Sequence, residues 1–403
     1  MKSVVMVGGG IQESKAVGII QDMGYRVIVT DMNGKAPAFE KADVPVNIDA
    51  RDVQSLIAWI LLNKDHLNIS GIFTLINQAP TVAIVASATA LPTISIEVVM
   101  NCDNKVLMKR NFKKHNLPTA DYFEIASLKA AEKAYKKLGR GHMFMKAVDS
   151  CGGRGIKKIE NLSGIEKAYT EVRQVSKFPV LILEECLSGT FIDAQGIFSD
   201  GKFHRGGTAD SFFSNDTEEY RQYNPVENFN ICPSLQSPAV IENVYSLLET
   251  AAKAMGIEWG PIGGDFILTR EGDLKIIEIA PRLHGPNGSL QIFPEATGIK
   301  PFNFMIQCIV GDEPDIAYVK PTRTKVALCK VILSKKRDIK AIRFKSDPEK
   351  LEGLFSWFIY MNNIKSAESK SALSGVASVF VRGDNYKNAL DSLKKVESEI
   401  EIL

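Results

Sequence analysis

"GGDFILTREGDLKIIEIAPR", residues 263–282, reads as a β-hairpin: two apolar strands joined by the turn "TREGDL". Pairing Arg270 with Asp273 and Thr269 with Leu274, and extending that register, sets Asp265 directly opposite Glu278. Both acids sit among apolar residues, Phe266-Ile267-Leu268 on one strand and Ile276-Ile277 with Ile279 on the other. Like charges facing each other across a ladder repel. In a partly buried sheet one of them should protonate unless a cation bridges them. Hard oxygen ligands with no histidine at the site point to Mg2+ or Mn2+. A one-residue slip would instead turn the acids to opposite faces. Arg282 and His284 follow at the strand's end. An arginine there would either stabilise charge on a metal-bound phosphate or form an ordinary ion pair with one of the same acids.

Upstream, "KAVDSCGGRGI", residues 146–156, opens on a lysine that ends the apolar run Met143-Phe144-Met145. A lysine in that position needs an anion, and beside amide-rich glycines phosphate is the natural one. The lysine precedes the glycines, so this is not a Walker A loop. Neither Cys151 nor Cys186 has a histidine nearby in sequence to activate a thiol. "FPVLILEECLSG", residues 178–189, is a strand ending in two acids. It is either a strand meeting solvent or an adenine edge. In the second case the backbone of Glu185, Cys186 and Leu187 would bond the base, a carboxylate would lie near its exocyclic amine, and Cys186 would form a wall. Lys105, in the basic helix "CDNKVLMKRNFKKHNLPTA", also fits solvated surface.

Residues 1–100 alternate strand and helix, which implies a parallel sheet with helices on its faces. The first turn, "VVMVGGGIQES" with Asp31 downstream, imitates a dinucleotide fingerprint. Glu13 occupies the place of the third glycine, where a side chain opposes close packing and its charge opposes a pyrophosphate. A tight turn at the top of a Rossmann-like sheet is the better reading. With 403 residues, more than one domain is expected. Basic and acidic residues number 49 and 47 and are interspersed, which argues against nucleic acid as a partner and against an electrostatic membrane anchor. The six cysteines form no CxxC pair, so neither a zinc knuckle nor a disulfide framework is suggested. No signal peptide precedes "KSVVMVG" and no apolar run could span a bilayer, so a cytoplasmic setting is expected.

In this order the segments "NK…NLPTA", "KAVDSCGGRGI", "LILEECLSG" and "GGDFILTREGDLKIIEIAPRLHG" resemble the ATP-grasp superfamily of ATP-dependent ligases. The resemblance implies an α/β (α+β) architecture in three parts. These are a Rossmann-like parallel-sheet domain over 1–100, an ATP-grasp core of antiparallel sheets clasping ATP over 101–318 with a lid at about 120–186, and a small α+β domain over 319–403. It implies that Lys105 and Lys146 contact ATP phosphates, and that the loop containing Ser150, Gly152, Gly153 and Gly155 closes over them. Glu184, Glu185, Cys186 and Leu187 would frame the adenine, and Asp265 and Glu278 would hold Mg2+ (or Mn2+). Arg282 would face an acyl-phosphate as a catalytic group with Lys146, and His284 would stand beside it at the substrate.

Two positions depart from the family pattern. The E-x-N of many members is Glu278-Ile279-Ala280 here, and the acid that often binds ribose is Phe191. "EIAPRLHG…ATGI" and the C-terminal tail are most similar to L-amino-acid ligases and related carboxylate–amine ligases. The N-terminal segment also resembles carbamoyl-phosphate-synthase-like members. The implied reaction joins a small carboxylate to an amine, such as an amino acid, and a homodimer is among the assemblies it allows. An ATP-dependent carboxylase of the purine-biosynthesis type is the first alternative: "EIAPRLH" favours it, and the continuation "HGPNGS" and the tail count against it. A non-catalytic ATP-binding module is the second.

Overall fold

The computed structural model describes all residues except 140, 151, 152, 154, 215–225, 335–338 and 361–373. The chain opens with β1 (Ser3–Val7), β2 (Arg26–Thr30), β3 (Val44–Val46) and β4 (Ile69–Thr74), a parallel sheet in the order β3-β2-β1-β4. β1 is buried along its whole length, as its unbroken apolar run requires of a strand covered on both faces. Gly9 N–H donates to Asp31 Oδ2 at 2.8 Å. The acid of the dinucleotide-like fingerprint is therefore bonded to its own glycine turn.

A second sheet, β5 (Tyr122–Ile125), β6 (Met143–Ala147), β7 (Ile156–Ile159) and β8 (Leu181–Glu185), is antiparallel in the order β5-β8-β6-β7. Met143, Met145, Leu181 and Leu183 pack in one core with Ala131 and Ala168 of the helices Leu128–Leu138 and Ile165–Val175. Strand alternation then turns Lys146 and Glu184 to the opposite face.

The largest sheet takes β9 (Gly189–Ser199), β10 (Lys202–Phe213), β11 (Glu227–Cys232), β12 (Gly260–Thr269), β13 (Leu274–Ala280) and β14 (Val326–Ser334). After the short β15 (Ile342–Phe344) it gains β16 (Leu354–Ile359) and β17 (Ser374–Gly383), in the order β13-β12-β9-β10-β11-β14-β17-β16. β15 pairs instead with β18 (Ile400–Ile402). Since β11 bonds β14, this sheet spans the boundary expected at 318/319.

The helix Pro238–Met255 backs the β9-β12-β13 end. Ser237 caps it by accepting from Val240 N–H, and Gly256 ends it at φ 85°. Its buried Val244, Leu248, Ala251 and Met255 follow helical spacing and pack on Phe198, Phe266 and Ile276. Each large apolar side chain buried there contributes about 1.5–3 kcal/mol. Among the described residues no helix is long and apolar enough to cross a membrane.

Candidate active site

The hairpin delivers its acids by a route that differs from the simple turn register. Leu268, not Thr269, pairs with Leu274, so the ladder near the turn is one residue out of the expected register. A bulge between the Asp265 and Phe266 pairings restores it, and Asp265 faces Glu278. The bulge also aims the side chain. Ile276 and Ile279 both pack in the core beneath the helix Pro238–Met255. Strict alternation from Ile276 would have sent Glu278 into that core, and the extra residue Ile277 turns it out.

On the other side of β12, Asp265 pairs with Asp193 of β9. Ile192, Ala194 and Phe266 lie in the core, so Asp193 and Asp265 point away from it. Asp193, Asp265 and Glu278 thus form one row across three strands.

Cations already stand against this row. His284 Nδ1 lies 3.1 Å from Asp193 Oδ1 and 3.3 Å from Asp265 Oδ1. Burial works against its protonation, but Asp265 and Asp193 outweigh it and raise the imidazole to about 10. The expected histidine-free site is therefore corrected: the chain turns back after Pro281 and brings His284 onto the acids. Asp265 is pushed up by partial burial and by Glu278 and Asp193, with His284 opposing. Glu278 is instead held at about 2, chiefly by Lys105, whose Nζ is 3.1 Å from its Oε2.

Lys105 follows the N-cap Asn104, and only 14% of its side chain is exposed, so it is not solvated surface. Its Nζ also donates to the Ser150 carbonyl at 3.2 Å, which links the acid row to the glycine loop. Ala147 N–H closes that loop on the Gly155 carbonyl at 2.8 Å. Asp149 pins its base to Ser176 Oγ (2.7 Å) and Lys177 N–H (2.8 Å). Gly153 and Gly155 have φ of 73° and 67°, a left-handed backbone that suits glycine. Gly152 and Cys151 lie outside the described residues.

Lys146 is bonded to Glu184, whose other oxygen lies 3.3 Å from Lys109 Nζ. Burial opposes ionisation of Glu184, yet the two lysines hold it at about 2. Glu185 accepts from Asp121 N–H at 3.0 Å and lies 3.1 Å from Lys275 Nζ.

Two of the backbone groups expected to meet a base are engaged within the sheet. Glu185 N–H and Cys186 N–H already donate to the carbonyls of Asp121 (3.0 Å) and His142 (3.3 Å), because β8 is flanked on both sides. The Cys186 thiol is pushed up by burial, contrary to what a nucleophile needs.

Arg282 forms no ion pair with the acids among the described residues. Its Nη1 donates to the Leu283 carbonyl at 3.1 Å, and its Nε is buried without a partner. Gln195 Oε1, Asn287 Oδ1 and Gln291 Nε2 are buried and unpartnered as well. Gln195 Nε2 donates to the His284 carbonyl at 3.0 Å, and Asn287 and Gln291 belong to the π-helix Asn287–Ile292 directly after His284. Sequence reading missed Asp193, Gln195 and Lys109. The alternation in "FIDAQGIF" offered the only signal for the first two.

Residues 110–289 match the ATP-grasp domain family. No curated protein sequence matches the chain. Among solved structures, an L-amino acid ligase from Bacillus licheniformis superposes with a TM-score of 0.82 at 17% identity, covering 100% of this chain and 98% of that one. An N5-carboxyaminoimidazole ribonucleotide synthetase from Thermotoga maritima gives 0.74 at 16%, covering 100% and 99%. A biotin carboxylase from Campylobacter jejuni gives 0.72 at 20%, covering 100% and 92%. At these identities the likeness is one of fold.

Proposed function

We propose that this chain, whose residues 110–289 match the ATP-grasp domain family, is an ATP-dependent carboxylate–amine ligase working through an acyl-phosphate. The observation that carries the reading is the Asp193–Asp265–Glu278 row, facing Lys105 and the glycine loop. A row of like charges is stable only against positive charge, and in this structure the charge comes from His284 and Lys105. These hard oxygens fit Mg2+ or Mn2+, with Asp193 in place of the ligand lost at Ala280. Such an ion supplies charge neutralisation at the phosphates.

Lys105 and Lys146 bind and orient the phosphates of ATP, and Glu184, Glu185, Cys186 and Leu187 frame the base, with Leu187 N–H as the donor. The substrate carboxylate attacks the γ-phosphorus, and the bond to ADP breaks. Arg282, with its unpaired Nε, stabilises charge on the acyl-phosphate so formed. Closure of the loop that carries Ser150, Gly153 and Gly155 over it excludes water. An amine then displaces phosphate to form the amide.

The unpaired acceptors Gln195 Oε1 and Asn287 Oδ1 call for a ligand that carries N–H or O–H donors, which an amine substrate supplies. The test is ADP release with Mg2+-ATP against pairs of amino acids and small carboxylic acids, with mass spectrometry of the product. ADP release that requires bicarbonate and an aminoimidazole ribotide would replace this reading with the carboxylase.

A further inference from the structure

Lys109 has no part in the reaction above, yet it is among the most enclosed charges in the molecule, with 2% of its surface exposed. It lies one turn beyond Lys105 on the helix Lys105–Lys114. Its Nζ donates to Thr119 Oγ1 at 2.6 Å and lies 3.3 Å from Glu184 Oε2. Thr119 Oγ1 donates in turn to the Ile276 carbonyl at 2.7 Å. Lys109 is thereby tied to β13, the strand that carries Glu278.

Glu184 has a lysine on each oxygen, and the two lysines are placed differently. Lys109 exposes 3% of its side chain, as does Glu184, whereas Lys146 exposes 13% and stands at the end of β6 where the glycine loop begins. One cation is sealed in and anchored, and the other can reach the cleft.

We propose that Lys109 is a positioning residue: a resident counter-ion that keeps Glu184 paired when Lys146 leaves it for the phosphates of ATP. The proposal rests on the reading that Lys146 binds phosphate. A buried carboxylate with a single cation is costly to strip, because the charge left behind has neither water nor a partner. With two cations, departure of one leaves a paired ion. Lys146 is then held in place in the free protein and released to the nucleotide at low cost. Without Lys109, Glu184 would compete with ATP for Lys146.

The test is ATP affinity by titration calorimetry on the full chain, with unfolding followed in parallel. Lys109→Met should weaken ATP binding by about 10- to 100-fold. Adding Glu184→Gln to that variant removes the competing charge while the backbone and an amide of the same shape still frame the base, and the double variant should regain at least about half of the lost affinity on a logarithmic scale. Lys109→Arg, which keeps the charge, should bind ATP within about threefold of wild type. Lys146→Ala separates the two ideas. If it leaves ATP affinity unchanged, the phosphate reading itself is wrong. If Lys146→Ala weakens binding while Lys109→Met binds as wild type does, or if the double variant stays as weak as Lys109→Met, the counter-ion proposal is overturned. Should Lys109→Met not fold, Lys109→Arg and the double variant decide alone: both binding ATP supports the proposal, and failure of either one overturns it.

Discussion

Asp265→Asn should leave the ligand-free protein at least as stable as wild type and yet abolish most of its stabilisation by Mg2+-ATP. Asp265 is the middle of the row, paired with Asp193 on one side and Glu278 on the other. Directly opposed side chains lie about 5 Å apart. Two unit charges at that distance repel by about 3 kcal/mol at an effective dielectric of 20. The Asp265 side chain is 40% exposed and His284 Nδ1 lies 3.3 Å away. Solvent and that contact reduce the net repulsion to about 1 kcal/mol or less. Asparagine keeps the shape and removes the charge, so the melting temperature without ligand should hold or rise by about one or two degrees. With ATP at a hundred times its Kd, wild type gains about 2.7 kcal/mol; a variant bound a hundredfold more weakly gains about 0.4 kcal/mol. Thermal melts with and without Mg2+-ATP measure both. A ligand-free variant weakened by more than about 1 kcal/mol that kept the full Mg2+-ATP shift would refute the reasoning.

Arg282→Ala should lower kcat for ADP release by about 10²- to 10³-fold while ATP affinity changes by only a few-fold, since the guanidinium acts on charge formed during transfer. Steady-state rates and calorimetry separate the two effects. Cys186→Ser should keep ADP release within about threefold of wild type, because a thiol raised by burial is a wall of the pocket and no nucleophile; loss of activity would restore the thiol chemistry. Gly189→Ala should cost several kcal/mol or prevent folding, as a Cβ there would collide with the Leu268 carbonyl where the start of β9 pairs with the end of β12. Soluble yield and thermal melts report it.

Some of this site is written locally and some is not. The opposed pair Asp265 and Glu278 was legible because a hairpin brings together residues near in sequence. Even so, the turn register was off by one and the bulge at Ile277 restored it. Bulges have no reliable sequence mark, so the correct pairing came through a compensation the sequence did not reveal. Asp193 was hidden because β9 meets β12 only through tertiary pairing across some seventy residues. Lys109 was hidden for another reason: in "KVLMKRNFKK" a buried lysine is indistinguishable from its solvated neighbours until Glu184 arrives from β8. The strand–helix alternation of residues 1–100 was legible from hydrophobic period alone. The continuation of the large sheet from β11 into β14 was not, since strand order in a mixed chain depends on which edges remain open.

The carboxylate row as the seat of the nucleotide's metal is tested most directly by the Mg2+-dependence of ATP affinity in wild type and Glu278→Gln. Titration calorimetry with and without Mg2+ gives the gain for each protein. In wild type Mg2+ should tighten ATP binding by on the order of tenfold or more, and in Glu278→Gln that gain should vanish. An undiminished gain in Glu278→Gln would contradict the account.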